Sequence, residues 1–307
     1  MPTLELPRLT ALGHELDTRA ECFGELRSSI DLIDDADALR ERMGEDGYLY
    51  LPGYLDRELV LEARRGVTGI LAEEGLLDPD FPPLEAVLRQ DGRTGKAGVR
   101  NDVARRVAAL QQLLYAGRMM ELYRRFLGGD VLHYSYTWLR AILPGRAAAP
   151  HYDIVFMGRG TPNLYTAWTP LGDISYATGG LMILEQSHRL EQIKNTYGRR
   201  DVDTYCANHA NNEPWASNEK RWSGHLSKNA ARLRDTLGGR WLTTEYHMGD
   251  VLTFSMFTLH ASIDNQTNRV RLSSDSRYQL ASEPADERWV GEQPIAHGLA
   301  GRRGRIC

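Results

Sequence analysis

The chain has 307 residues and a formal net charge of −4, with 42% of residues hydrophobic and 25% charged. A pI near 6.2 gives no electrostatic footprint for nucleic acid or an anionic membrane, and no apolar run approaches the ~20 residues that span a bilayer. Cys22, Cys206 and Cys307 are far apart, odd in number and without a CxxC; they suit a reducing cytosol better than a disulfide framework or zinc.

The start, MPTLELPRLTALGHELD, lacks a basic stretch followed by an apolar one, so no secretory signal is expected. DADALRERMGEDG predicts a short amphipathic helix stopping at Gly47, and YLYLPG has strand character. DRELVLEARRGVTGILAEEG opens with Asp56, a good N-cap, and keeps helical apolar spacing to Gly75. Residues 76–100, with Pro79, Pro82 and Pro83, read as a loop. VARRVAALQQLLYAGRMMELYRRFLGG reads as one or two helices ending at Gly128–Gly129.

After residue 130 the character changes. VLHYSYTWLRAIL is rich in β-branched and aromatic residues and ends at Pro144–Gly145. The strand candidates that follow are HYDIVF, NLYTAWTPL, GGLMILE, RWLTTEYHM, DVLTFSM and RVRLSSDSRYQL. Such a series fits an antiparallel sandwich or barrel better than βαβ units. Between Glu185 and Gly239 the strand pattern lapses. A connection of this length suggests a lid or substrate loop, the alternative being a decorative insertion with a helix near 228–237. The organisation expected is one domain over 1–307: a mostly helical part to residue 129, a β core over 130–280 with a lid-like insertion at 186–239, and a tail over 281–307.

Among nine histidines, His151 has a carboxylate two residues later, Asp153. On a strand, residues i and i+2 point to the same face, so both could reach one ion. A mononuclear Fe(II) site needs two imidazoles and one carboxylate, so the third ligand must come from a distant strand. His260 closes an apolar, strand-like run, and Arg271 lies eleven residues on. A buried arginine there would bind the far carboxylate of a dicarboxylate bidentately, with Ser262, on the same face as His260, adding a hydrogen bond. Taken alone, the HxD pair also reads as an ordinary polar pair, and Arg269, Arg271 and Arg277 as solvated salt bridges. CANH, with Cys206 and His209, lacks a partner pattern.

Taken in order, these segments resemble the phytanoyl-CoA dioxygenase-like family of Fe(II)/2-oxoglutarate oxygenases. HYD (151–153) resembles the family's HxD pair, and AWTPLGDISYATGGLMILEQSH (167–188) its W-x-x-L…NGxLxxxPGSH segment. GDVLTF (249–254) precedes the distal-histidine strand, and HASIDNQTNRVR (260–271) resembles HxS-x-x-N…R. EQSH replaces the family's PGSH turn, and His188 there is read as structural.

The resemblance implies a mainly β fold with flanking helices: a double-stranded β-helix, the cupin-like jelly roll, with helices packed outside the major sheet. It implies iron ligation by His151, Asp153 and His260, with Arg271 and Ser262 on the distal carboxylate of 2-oxoglutarate. Trp168 and Tyr152 would line the cosubstrate. Fe(II), 2-oxoglutarate and O₂ would be needed, with ascorbate as an in vitro activator. The expected reaction is hydroxylation of an unactivated C–H bond of a small molecule, a secondary metabolite, with release of succinate and CO₂. The same oxidant also serves desaturation, epimerisation and cyclisation. Related halogenases replace the carboxylate that Asp153 retains, which disfavours halogenation. No basic cluster resembles a coenzyme A phosphate site, so acyl-CoA is not favoured. Two rivals are a non-catalytic jelly-roll binding protein and a zinc-type hydrolase; the hydrolase leaves Arg271 and Ser262 without a task. The reading is a soluble, cytoplasmic enzyme with a small-molecule substrate, partnering neither nucleic acid nor membrane, of open oligomeric state.

Overall fold

The computed structural model describes residues 7–90, 96–206 and 222–306. A small hairpin, β1 (Thr10–Ala11) with β2 (His14–Glu15), leads to β3 (Phe23–Glu25), then α1 (Ala36–Asp46), β4 (Tyr48–Leu51) and α2 (Arg57–Glu73). Asp56 caps α2 by accepting from the backbone N–H groups of Glu58 and Leu59 at 2.8 and 3.1 Å, the role its side chain favours at a helix start. After β5 (Gly98–Val99) come three helices where one or two were expected: α3 (Asn101–Ala104), α4 (Ala108–Tyr115) and α5 (Gly117–Leu127). The breaks fall at the β-branched Val107 and at Ala116, both in extended conformation.

The β core follows: β6 (Val131–His133), β7 (Trp138–Ile142), a four-residue α6 (Ile154–Met157), β8 (Tyr165–Pro170) and β9 (Leu181–Leu184). Next are α7 (Glu191–Asn195), β10 (Thr204–Cys206), α8 (Ala230–Leu237), β11 (Trp241–Thr243), β12 (Val251–Ser255), β13 (His260–Ser262), β14 (Arg271–Leu280) and β15 (Arg303–Arg305). Seven strands form a major sheet in the order β4-β12-β8-β14-β7-β5, with β6 also paired to β14; four form a minor sheet, β13-β9-β11-β3.

Alternation along the major-sheet strands gives each face its own core. Leu49 and Leu51, Val251, Ala167, Leu139, Ala141, Leu272 and Tyr278 pack outward against α1, α2, α4 and α5. Tyr48, Tyr50, Trp168, Leu252 and Phe254 point the other way, onto Leu181, Ile183 and Leu242 of the minor sheet. Helices thus cover one face of the major sheet and the minor sheet covers the other, as expected.

Three differences from the expectation bear on the site. HYDIVF is not a strand: His151 makes a single antiparallel bridge to His260, and Asp153, at φ −66° and ψ −28°, precedes the turn of α6. Of the 186–239 segment, residues 207–221, with His209 and Trp215, lie outside the described residues; the rest holds α7, β10 and the expected helix as α8. The tail is tied back, because β15 pairs in parallel with β10 and the fully buried Arg288 binds Asp286, Asp203 and Asp201. No helix among the described residues is long and apolar enough to cross a membrane.

Candidate metal centre

His260 is brought in by β13 of the minor sheet, and the reciprocal backbone bonds His151 N–H to His260 O (3.1 Å) and His260 N–H to His151 O (3.2 Å) hold the two histidines side by side. Their ring centroids are 4.2 Å apart. The Nδ1 of His151 lies 2.7 Å from the Ala149 carbonyl and that of His260 lies 3.0 Å from the Thr258 carbonyl. A carbonyl can only accept, so each Nδ1 carries the proton and each Nε2 presents a lone pair. Burial pushes the His260 imidazole down to about 3, so at neutral pH it has no proton to shed before meeting a cation.

Asp153 Oδ1 sits 3.6 Å from His151 Nε2 and 3.7 Å from His260 Nε2. One ligand atom from each of the three buried residues lies within 4.8 Å of the others, a donor set suited to a divalent transition metal. The second carboxylate oxygen is spoken for: Oδ2 accepts from Thr166 Oγ1 at 2.5 Å and from Arg277 Nη2 at 2.9 Å. Burial alone would raise the Asp153 carboxyl, but the Arg277 charge and the two histidines hold it well below the usual carboxylate range. The outer bonds leave Oδ1 to face the centre, in one orientation.

Arg277 stands on β14, where Arg271, Ser273 and Asp275 share its face by the two-residue period. Its guanidinium lies 4.1 Å from the centroid of the Trp138 ring. Asp275 receives Arg140 of β7, whose Nε is 2.7 Å away. Arg271 is buried and donates through Nη1 to the Gly179 carbonyl at 3.0 Å; its Nε has no hydrogen-bond partner among the described residues. Burial, and secondarily the charge of Arg140, bring it down to about 10, which leaves it cationic at neutral pH. Gly179 must be glycine: its φ is +83°, and a Cβ would meet the Ile263 carbonyl at 2.4 Å.

Ser262 accepts from the Ala148 N–H at 2.7 Å, leaving its own proton to donate. Trp168 is buried on the interior face with its indole N–H unpaired among the described residues. Native interiors rarely leave such donors unsatisfied. An unpaired buried Arg271 Nε, a free Ser262 hydroxyl proton and an unpaired Trp168 N–H are what a bound dicarboxylate would satisfy, so the interior fits 2-oxoglutarate.

Tyr152 does not join this set. Its hydroxyl donates to the Ser187 carbonyl at 2.7 Å and the ring packs on Tyr197 and Phe257. It is a core residue and lies outside the cosubstrate seat. His188 Nε2 lies 3.1 Å from the Gly44 carbonyl, a structural contact, and Gln186 keeps a left-handed turn (φ 57°) without the family's glycine. Arg269 is exposed and pairs with Glu85. Arg277, Thr166 and Arg140 escaped the sequence reading; for Arg277 the signal was the even spacing 271, 273, 275, 277 along one strand, while Thr166 and Arg140 stand on β8 and β7.

A cavity of about 690 Å³ opens onto His151, Asp153 and Arg277, walled also by Trp138, Arg140, Ile142 and Phe156.

The phytanoyl-CoA dioxygenase (PhyH) family model matches residues 43–273, which runs from β4 to the start of β14 and includes the three clustered side chains. The chain belongs to the PhyH family. It is an oxygenase that uses Fe(II), 2-oxoglutarate and O₂. Two curated relatives are called 1-deoxypentalenic acid 11-beta-hydroxylase. The one from Streptomyces exfoliatus is 27% identical over 82% of this chain and 83% of its own length; that from Streptomyces arenae is 27% identical over 85% and 87%. Solved structures share the fold. The non-heme alpha ketoglutarate dependent carbocyclase SnoK from nogalamycin biosynthesis aligns over 88% of this chain and 92% of its own (TM-score 0.58, 16% identity). EctD from S. alaskensis with 2-oxoglutarate and 5-hydroxyectoine aligns over 95% and 98% (TM-score 0.56, 16% identity). This PhyH oxygenase therefore has the jelly roll expected of it, with the clustered triad between its sheets.

Proposed function

We propose that this oxygenase hydroxylates an unactivated C–H bond of a small, largely apolar secondary metabolite, using His151 Nε2, Asp153 Oδ1 and His260 Nε2 as the iron ligands. The observation that carries the reading is the convergence of those three atoms with both Nδ1 protons and the second carboxylate oxygen already engaged. Arg271, helped by Ser262, receives the distal carboxylate of 2-oxoglutarate, and Trp168 lines that seat. Iron with 2-oxoglutarate supplies, when bound, the oxidant that removes a substrate hydrogen and returns hydroxyl, with succinate and CO₂ as coproducts.

The chain contributes orientation and exclusion of water. Arg277 and Thr166 keep Asp153 from rotating, and the carbonyls of Ala149 and Thr258 fix both imidazole tautomers. Asp153 occupies the ligand position at which halide transfer needs a small residue, which favours hydroxyl return. The two hydroxylases among the relatives favour hydroxylation over desaturation, epimerisation or ring closure. A cytoplasmic location belongs to the same reading, since Fe(II) and 2-oxoglutarate are supplied in a reducing compartment.

Anaerobic addition of Fe(II) and 2-oxoglutarate should produce the weak visible charge-transfer band of an iron-chelated keto acid. His260→Ala and Asp153→Ala should each abolish it. A well-folded wild-type protein that shows no band would sink the proposal. Succinate release against a panel of terpenoid and polyketide candidates would then find the substrate.

A further inference from the structure

The cavity above the metal centre has an uneven chemistry. Its body is apolar, with Ile142, Ala148, Trp138 and Phe156 among the wall residues, while one side carries cations. Arg140 lines it with Nε and Nη2 committed to Asp275, and Nη1 has no partner among the described residues. Lys228, also on the wall, is exposed and has no ion pair among the described residues. Both line the same cavity as His225, whose ring centroid is 5.8 Å from that of His151, so the cationic side adjoins the metal centre. Among the described wall residues the one carboxylate is Asp153, already held by Arg277 and Thr166.

Charge matching decides what such a wall admits. An ammonium ligand would meet Lys228 and Arg140 with no carboxylate to receive it. A neutral apolar ligand would cover Lys228 and the remaining Nη1 of Arg140 and offer neither an acceptor. A carboxylate on an apolar body satisfies both, through charge-assisted hydrogen bonds. We propose that the substrate is an apolar carboxylic acid whose carboxylate is received by Lys228 and the free Nη1 of Arg140, with its hydrocarbon body held against the apolar wall beside His151. This rests on the oxygenase reading for the site but concerns a separate part of it, because Arg271 and Ser262 take the cosubstrate. One end of the substrate is thereby fixed, which presents a single region of the hydrocarbon to the metal centre.

The test uses the full chain with 1-adamantanecarboxylic acid, its methyl ester and 1-adamantylamine as probes. Binding is read by quenching of tryptophan fluorescence, Trp138 being on the cavity wall, and the Fe(II)–2-oxoglutarate band is recorded in parallel. The acid should bind about ten- to a hundredfold more tightly than the ester, the worth of a hydrogen bond between charged groups, and the amine should bind least. Lys228→Met, an exposed change that leaves the fold intact, should weaken the acid about tenfold and leave the ester unchanged; Arg140→Gln should act in the same direction. Equal affinity for acid and ester, or an acid preference that survives Lys228→Met, overturns the proposal. So does an acid that fails to bind at millimolar concentration, or one that displaces 2-oxoglutarate competitively. If the band forms while acid and ester bind alike, the oxygenase site stands and the anion seat falls. If acid binding depends on Lys228 but no band appears, the seat stands and the oxygenase reading falls.

Discussion

Replacing Arg277 by methionine isolates the one fixed cation that faces the Asp153 carboxylate. Arg277 and Asp153 have side chains only 1% and 2% exposed, 2.9 Å apart. Breaking a buried pair from one side leaves an uncompensated charge and costs on the order of 3–5 kcal/mol. Methionine keeps most of the volume against Trp138, so cavity formation adds little. In a chain of this size each kcal/mol moves the melting temperature by about 2 °C. The metal-free variant should therefore melt roughly 6–10 °C below the wild type. A bound divalent cation then supplies the missing positive charge, so Mn(II) or Zn(II) should raise the melting temperature of Arg277→Met more than that of the wild type. Thermal melts with and without metal, followed by circular dichroism, give both numbers. Turnover of the loaded variant should still fall by about ten- to a hundredfold, because Asp153 loses the bond that orients it. A metal-free variant melting within 2 °C of wild type, or an equal metal increment in the two proteins, would refute the reasoning.

Arg271→Gln should raise the 2-oxoglutarate requirement at least about a hundredfold, from the ~3–5 kcal/mol of a desolvated ion pair; equilibrium dialysis should show iron binding unchanged. Gly179→Ala forces a Cβ to 2.4 Å from the Ile263 carbonyl at φ +83° and should cost about 1–3 kcal/mol in urea unfolding, with weaker 2-oxoglutarate binding because Arg271 leans on the Gly179 carbonyl. Burial works to raise the Asp286 and Asp203 carboxyls, but Arg288 lowers both, and for Asp203 so does His297, so both end below the ordinary carboxylate value. Depressed carboxyls add stability that is full above about pH 4 and is lost as pH falls through the folded values. Asp286→Asn should remove on the order of 3 kcal/mol at pH 7 and progressively less as the pH falls below about 4; an equal loss at pH 7 and pH 3, measured by denaturant unfolding, would contradict the assignment.

The β-rich half was legible in outline because its strands are short, alternating and broken by Gly, Pro and Asp. The convergence of His151 and Asp153 was legible too, though through the wrong geometry. The expected strand would place both on one face, whereas a single bridge residue followed by the first turn of α6 does so instead. No local pattern distinguishes these, since HYDIVF is as apolar and β-branched as a strand. Arg277 was hidden for a different reason. On sequence an arginine late in a strand reads as solvated, and its burial comes only from β6, β7 and β8 closing around β14. Tyr152 shows the converse: the resemblance implied that it lines the cosubstrate, and its side chain instead packs on Tyr197 and Phe257. The tail looked like a polar end until Arg288, paired with aspartates some 85 residues upstream, fixed it.

The cavity wall has a divided origin. His151, Asp153 and Arg277 belong to or abut the sheets, whereas Leu12, His14, His225, Lys228 and His297 come from the initial hairpin, the stretch before α8 and the tail. Side-chain substitutions at Leu12, His14 or Lys228 leave the strand ladders of both sheets in place. Lineages that inherit this scaffold are thus free to exchange one substrate for another while the oxidising apparatus stays still. For the same reason, directed evolution of a new substrate preference should draw its useful mutations from those three segments and few from the strands.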